Sequence, residues 1–322
     1  MVLHQALTLL DPFLFHVAIM IFALIILFYA ADLIVLGISN YARKLGLSDY
    51  LIGLVVVAMA ASMPEIVSAI IGLSLNEPSV MFGTILGSNM VHMALLTGIL
   101  VFIGKRLNLE CQILEKSKVI LWFMLLLPFV LALDGELSRP DGFILVVAFV
   151  FYIILLWRQE GRLGKIKKNV QLKTIWRDMF IFVGSLVALL LAGRWLVFSG
   201  VQIAHLLDIP TYFVALTILG IGGAIPDLAV ELRALFRGHQ AIGVGDALGS
   251  TVIEFLLFFG IVAMIMPLQV DLASIANAAF WLLASITVML YYIHKKVITR
   301  KHGLVLLLFY AAFLAIEIWK IV

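Results

Sequence analysis

Apolar runs of about twenty residues, the length a helix needs to cross a bilayer, recur from one end of this sequence to the other, with only short polar stretches between them. Few folds accept such a chain. A soluble domain carries about 25% charged residues; here 13% are charged and 64% are hydrophobic. A membrane β-barrel alternates apolar and polar residues in short segments, and that pattern is absent. The chain therefore reads as an all-α polytopic membrane protein.

Ten spans are predicted, at about 13–39, 48–75, 79–104, 117–134, 141–158, 178–206, 210–236, 241–266, 271–294 and 303–321. The basic residues support this count. Arg43 and Lys44 follow the first span, and Lys105, Arg106, Lys116 and Lys118 follow the third. The run from Arg158 to Arg177 follows the fifth, Arg233 and Arg237 the seventh, and Lys295, Lys296, Arg300 and Lys301 the ninth. Only Arg139 and Lys320 fall on the other side. Because cytoplasmic loops collect Lys and Arg, odd-to-even loops are expected inside the cell and both termini outside. A missed span would scramble the alternation.

Other features narrow the class. The longest connection, about 159–177, is too short for a soluble catalytic module. One cysteine, Cys111, excludes an internal disulfide and any multi-cysteine metal site. No His-rich cluster or supported Ser-His-Asp set appears, so an enzyme is not expected, and nothing points to nucleic acid. The first residues carry no basic segment before the first apolar run, unlike a secretory signal.

An internal repeat is decisive. Shifted by 162 residues, SMPEIV (62–67) lies over AIPDLA (224–229), and FGTILGS (82–88) lies over VGDALGS (244–250). Tyr50 meets Tyr212, and Gly98 meets Gly260, without a gap. Residues 1–158 and 178–322 are then two five-helix repeats joined by a basic cytoplasmic linker, 159–177. Five is odd, so the halves enter the membrane from opposite sides. Inverted repeats with broken helices at matching positions point to a transporter with a midplane site.

The repeated motif supplies the chemistry. Proline has no N–H to donate to the carbonyl four residues earlier, so Pro64 and Pro226, expected to break their helices, free the carbonyls of Ala60 and Gly222. A carboxylate follows each proline, Glu65 or Asp227. Carbonyl and carboxylate oxygens together are the ligands of hard cations. Asp246 adds a third acid. Ser62, Thr84, Ser88 and Ser250 are candidate hydroxyl ligands, although the last three have an alternative in bonding a backbone carbonyl one turn back. A buried acid costs roughly 2.5–3.5 kcal/mol on insertion scales, so three together imply neutralisation by cations or protons. Glu231 and Glu254 are further acids, offered as a proton relay. Asn89 and His92 are read as helix-packing residues, with a ligand role as the lesser alternative, Glu317 as interfacial, and Asp32 and Arg194, at equivalent positions of the first and sixth spans, as structural or interfacial.

These motifs resemble the α-repeats of the cation/Ca²⁺ exchanger superfamily, typically G-T-S-x-P-E/D and then G-N or G-D and G-S-N. The chain has A-A-S-M-P-E with G-T-I-L-G-S-N, and G-G-A-I-P-D with G-D-A-L-G-S-T. The resemblance implies a ten-helix antiporter, exchanging Ca²⁺ for Na⁺ by alternating access. Its site would lie between the second, third, seventh and eighth helices, and the long first and sixth would move. It makes Glu65 and Asp227 the central Ca²⁺ ligands and Asp246 an acid protonated during part of the cycle. Ala61, Gly223 and Ala224 replace three of four family hydroxyls that bind Na⁺, which leaves an H⁺-coupled exchanger of Ca²⁺ or another divalent ion as the alternative. A cation channel with the same ligands is the rival of another class. No cofactor is expected, only transported ions. The short central loop suggests a prokaryotic plasma membrane.

Overall fold

With no water in hydrocarbon to serve backbone N–H and C=O groups, a spanning chain must satisfy them internally, and helices dominate accordingly. The computed structural model describes residues 12–26, 29, 30, 33, 58–75, 77–104, 106–108, 112–160, 175–236, 240–295 and 297–320. Asp32, Tyr50, Cys111 and most of the central basic stretch lie outside them.

The described helices are α1 (Pro12–Ile26), α2 (58–74, interrupted at Ser62), α3 (Pro78–Gly104), α4 (Gln112–Leu131) and α5 (Arg139–Glu160). The second half holds α6 (Ile175–Leu207), α7 (211–236), α8 (240–265), α9 (Leu272–His294) and α10 (Arg300–Trp319). Among the described residues six segments are long and apolar enough to cross a membrane: Pro78–Gly104, Ser117–Asp134, Arg139–Leu156, Gly245–Ile265, Leu272–His294 and Arg300–Trp319. Shorter apolar helices, Pro12–Ile26, Glu65–Ser74, Leu191–Leu207 and Thr211–Ala224, fall within the other four predicted spans or overlap them.

Burial separates a centre from a periphery. In α3 and α8, 83% and 78% of the apolar window is buried, against 22–33% in α4, α5, α9 and α10. The peripheral helices turn Val119, Phe123, Phe143, Phe151 and Leu308 outward, a surface suited to lipid and too apolar for water. A second, smaller core is formed by α1, α6 and the start of α7, where Met20 and Ala23 meet Leu196, Val197 and Leu219.

The halves interlock by exchange. Helix α3 packs on α10, with Gly98 against the Gly303 carbonyl, and α8 packs on α5, with Gly260 against the Gly142 carbonyl. The short strands follow the same rule. Strand β1 (Arg106–Asn108) pairs antiparallel with β4 (Val297–Thr299), and β2 (Glu136–Leu137) with β3 (Leu268–Gln269). The pair Arg106↔Thr299, with each residue moved by 162, becomes Leu268↔Leu137, which is also observed.

Among the described residues three stretches are π-helical: Val91–Leu96 in α3, Ala215–Leu219 in α7 and Ile253–Phe258 in α8. The first and third are separated by the repeat offset. The counterpart of the second, 53–57, lies outside the described residues.

The two prolines differ. Before Pro64 the helix is interrupted at Ser62, and Pro64 sits in the first turn of the following segment. Pro226, expected to break its helix, instead lies inside an unbroken α-helix, Gly220–Phe236. One missing N–H does not end a helix whose remaining bonds and packed neighbours hold the backbone. The irregularity in α7 lies upstream, in the π-helical turn. Glu317, read as interfacial, lies near the end of α10, is 4% exposed, accepts a hydrogen bond from Asn277 at 2.7 Å and pairs with Lys320 at 3.6 Å.

Candidate cation site

Four helices carry the polar residues of the centre. Helix α2 supplies Ser62 and Glu65, and α3 supplies Thr84, Ser88, Asn89 and His92. Helix α7 supplies Asp227 and Glu231, and α8 supplies Asp246, Ser250 and Glu254. All are at most 2% exposed.

Close approach of the backbones makes the cluster possible. A Cβ on Gly87 would lie 2.0 Å from the Leu216 carbonyl oxygen, and one on Gly220 would lie 2.8 Å from the Gly87 carbonyl carbon. Helices α3 and α7 therefore touch main chain to main chain, as small residues permit. One turn further, a Cβ on Gly223 would lie 2.6 Å from Glu65 Oε1. The carboxylate of Glu65 thus reaches across from α2 into the space that the missing side chain leaves.

Glu65, Asp227 and His92 converge, each offering a ligand atom within 4.8 Å of the others. His92 Nε2 stands 3.1 Å from Asp227 Oδ2. The charges of Glu231, Asp246 and Glu254 also act on this group, making five carboxylates and one imidazole in a single buried network. On one side Asn89 Nδ2 donates to Glu254 Oε2 at 2.6 Å and to the Ile85 carbonyl at 2.7 Å. Ser88 Oγ, with its one proton, has the same two acceptors in reach, the Ile85 carbonyl at 3.2 Å and Glu254 Oε2 at 3.5 Å.

Many other atoms of the cluster have no hydrogen-bond partner among the described residues. Both carboxylate oxygens of Glu65, Glu231 and Asp246, Glu254 Oε1, the hydroxyls of Ser62, Thr84 and Ser250, and His92 Nδ1 are buried without a hydrogen bond. An unsatisfied buried polar group costs about 1–3 kcal/mol, and a charged one more. So many acceptors around one point fit cations as the missing partners. The carbonyls of Ala60 and Gly222 lack their helical donors for the covalent reason that Pro64 and Pro226 have no N–H.

The structure brings together the five acids offered as cation ligands or proton relay, Glu65, Asp227, Asp246, Glu231 and Glu254. Of the hydroxyls, Ser88 bonds a backbone carbonyl as its alternative reading had it, whereas Thr84 and Ser250 do not. His92, read as a packing residue, stands at the centre of the network. One signal was in the sequence: at the repeat offset His92 lies over Glu254, itself singled out as an acid. The structure adds that both are the second residue of a π-helical turn. Such turns gather at functional sites. Arg194 is exposed on α6.

Comparison with known proteins agrees with this architecture. The family model for the sodium/calcium exchanger protein matches residues 15–158 and 178–319. The sodium/calcium exchanger MaX1 of Methanosarcina acetivorans is 26% identical, over 92% of this chain and 97% of its own length. The inner membrane protein YrbG of Escherichia coli is 27% identical, over 84% of this chain and 86% of its own. Among solved structures, the H⁺/Ca²⁺ exchanger CAX aligns with a TM-score of 0.79 at 15% identity, covering 97% of this chain and 88% of that one. The sodium-calcium exchanger NCX_Mj, soaked with Na⁺ and Sr²⁺, aligns with a TM-score of 0.72 at 23% identity, covering 94% and 99%. The two structures establish a shared polytopic fold. With both halves matched by the family model, the chain is a multi-pass membrane protein that belongs to the sodium/calcium exchanger family of antiporters.

Proposed function

We propose that this protein exchanges Ca²⁺ for Na⁺ across a prokaryotic plasma membrane, by alternating access to the carboxylate cluster between α2, α3, α7 and α8. The observation that carries the reading is the set of buried carboxylate oxygens on Glu65, Glu231, Asp246 and Glu254 without protein partners. Glu65 and Asp227 would hold the divalent ion, with Asp246, Ser62, Thr84, Ser88 and Ser250 and the carbonyls of Ala60 and Gly222 completing the shells. Glu231 and Glu254 would carry protons or bear on the second ion.

The chain is, on this reading, two five-helix repeats of opposite orientation, 1–158 and 178–322, joined by a basic cytoplasmic linker at 159–177. The shared 162-residue offset of the π-helical turns and of the strand pairs supports it. Divalent and coupling ions compete for the same carboxylates. A site with bare acids cannot cross the occluded state, because uncompensated buried charge costs several kcal/mol per ion. A filled or protonated one can. Helices α1 and α6, packed in their own core, are the pair whose tilt would switch access.

One observation favours a second reading. The space at Gly223, where the family has a hydroxyl, is taken up by the Glu65 carboxylate. Loss of that Na⁺ ligand favours H⁺ as the coupling ion.

The test is ⁴⁵Ca²⁺ uptake into liposomes holding the purified protein, driven in turn by an outward Na⁺ gradient and by a pH gradient, with Asp227→Asn as control. Uptake that follows Na⁺ and is lost in the variant supports the first reading, and uptake that follows only pH supports the second. Flux without a counter-gradient would mean a channel. No Ca²⁺ flux at all would remove Ca²⁺ as the substrate.

A further inference from the structure

His92 has no part in an all-oxygen Ca²⁺ site. It is 1% exposed, its Nε2 stands 3.1 Å from Asp227 Oδ2, and its Nδ1 has no hydrogen-bond partner. At the equivalent place in the second half stands a carboxylate, Glu254. The two halves thus offer the centre an imidazole from α3 and an acid from α8, on matching π-helical turns.

The chemistry of these donors differs from that of a Ca²⁺ cage. Ca²⁺ takes six to eight oxygens at about 2.3–2.6 Å. Imidazole nitrogen suits first-row transition ions, whose affinity for a mixed nitrogen–oxygen site rises from Mn²⁺ along the series. Two donors bound at about 2.0–2.2 Å to one ion stand about 3 Å apart at a right angle, and His92 Nε2 and Asp227 Oδ2 are 3.1 Å apart. Glu65 completes the triad within 4.8 Å, and both its oxygens are free of protein partners at 1% exposure.

We propose that His92 is a ligand of the transported ion and makes this site one for divalent transition-metal ions, binding Mn²⁺ more tightly than Ca²⁺. The proposal rests on the reading that Glu65 and Asp227 hold the transported divalent ion. It adds that a nitrogen donor sets which divalent ion is preferred. Glu65 and Asp227 supply charge to either ion, whereas the imidazole contributes bond strength to Mn²⁺ and almost none to Ca²⁺. The bland alternative is that His92 only partners Asp227 as a structural counter-charge. In that case no metal bond forms at the ring and the preference stays with Ca²⁺.

The experiment uses the tag-free full-length protein in detergent with one equivalent of Mn²⁺, read by pulsed electron paramagnetic resonance for ¹⁴N coupling. Coupling from one directly bound imidazole, displaced by excess Ca²⁺ and absent in His92→Gln, is the expected result. In parallel, Mn²⁺ should displace bound ⁴⁵Ca²⁺ at least ~10-fold more effectively than unlabelled Ca²⁺. His92→Asn, which offers an amide oxygen instead, should remove that advantage, a loss within the ~10–100-fold typical of damage to a metal site. The wild-type spectrum stands even if the variants do not fold. Bound Mn²⁺ without ¹⁴N coupling, or Mn²⁺ no better than Ca²⁺ as competitor, overturns the role of His92 while Ca²⁺ exchange in liposomes leaves the antiport reading intact. Binding and transport of neither ion would overturn both.

Discussion

A Cβ on Gly223 would stand 2.6 Å from Oε1 of Glu65, so the glycine of α7 and the acid of α2 share one volume. Closer than 3 Å, a side chain must give way, and here the only thing to move is the carboxylate itself. Gly223→Ser is therefore expected to weaken divalent binding by about 10–100-fold, the range seen when a ligand loses its support, rather than to restore a Na⁺ site. Competition binding with ⁴⁵Ca²⁺ reads this directly. Unchanged affinity with a gain in Na⁺-driven uptake would show that the hydroxyl fits and that Glu65 has another position.

Glu65 lies among like charges from Asp227 and Glu254, and neither of its oxygens has a protein partner. Glu65→Gln removes one of those charges and keeps the shape. In buffer with a divalent chelator the variant should melt at a higher temperature than the wild type. With Ca²⁺ at 100 times its dissociation constant the wild type should gain about 2.7 kcal/mol by mass action, and the variant almost nothing. Thermal unfolding in detergent, with and without chelator, measures both. A variant less stable than the wild type without divalent ions would mean that Glu65 has structural partners.

Much of this was legible in the sequence, for reasons that explain the rest. Apolar length located the spans because a bilayer has a fixed thickness. The 162-residue offset brought out Glu65 and Asp227 because an identical proline precedes each, and Asp246 because its neighbours Gly245, Gly249 and Ser250 repeat Gly83, Gly87 and Ser88. His92 escaped because no identity flanks it and its counterpart, Glu254: Val91 and Met93 lie over Ile253 and Phe255, so identity matching passes over the position. The π-helical turns leave no mark either: one extra residue per turn does not alter an apolar run that is buried all round. Strand pairs of two or three residues, such as Leu107 with Ile298, are set by the packing of distant helices. Pro226 misled because proline counts its missing bond and not the neighbours that hold the helix.

The crossing of α3 and α7 should be intolerant of any side chain. A Cβ on Gly87 would lie 2.0 Å from the Leu216 carbonyl oxygen, with backbone and no flexible side chain in the way. Gly87→Ala is expected to cost at least the 1–3 kcal/mol of ordinary overpacking, seen as a lower melting temperature and lower yield of monodisperse protein. Gly184→Ala is the control, since nothing lies within 4 Å of its Cβ and alanine favours a helix over glycine. Equal behaviour of the two variants would contradict the main-chain contact.

The two strand pairs also make the orientation testable. Strand β1 pairs with β4, and β2 with β3, so each pair ties together two connections that must lie on the same side of the membrane. Lys118, His294, Lys295, Arg300 and Lys301 lie next to the first pair, and Lys118 Nζ meets His294 Nδ1 at 2.7 Å. Asp134, Glu136, Asp141 and Asp271 lie next to the second, where Gln269 donates to Glu136 at 3.0 Å. The basic end belongs in the cytoplasm. In a Cys111→Ser background, a membrane-impermeant maleimide applied to intact cells should label Gln269→Cys and leave Lys295→Cys unlabelled until the membrane is opened. Both positions are exposed, so access is decided by sidedness alone. The reverse pattern would invert the molecule in the membrane. Labelling of both from outside would put the two ends of α9 on one side, which a single crossing helix between them cannot do, and would overturn the span count.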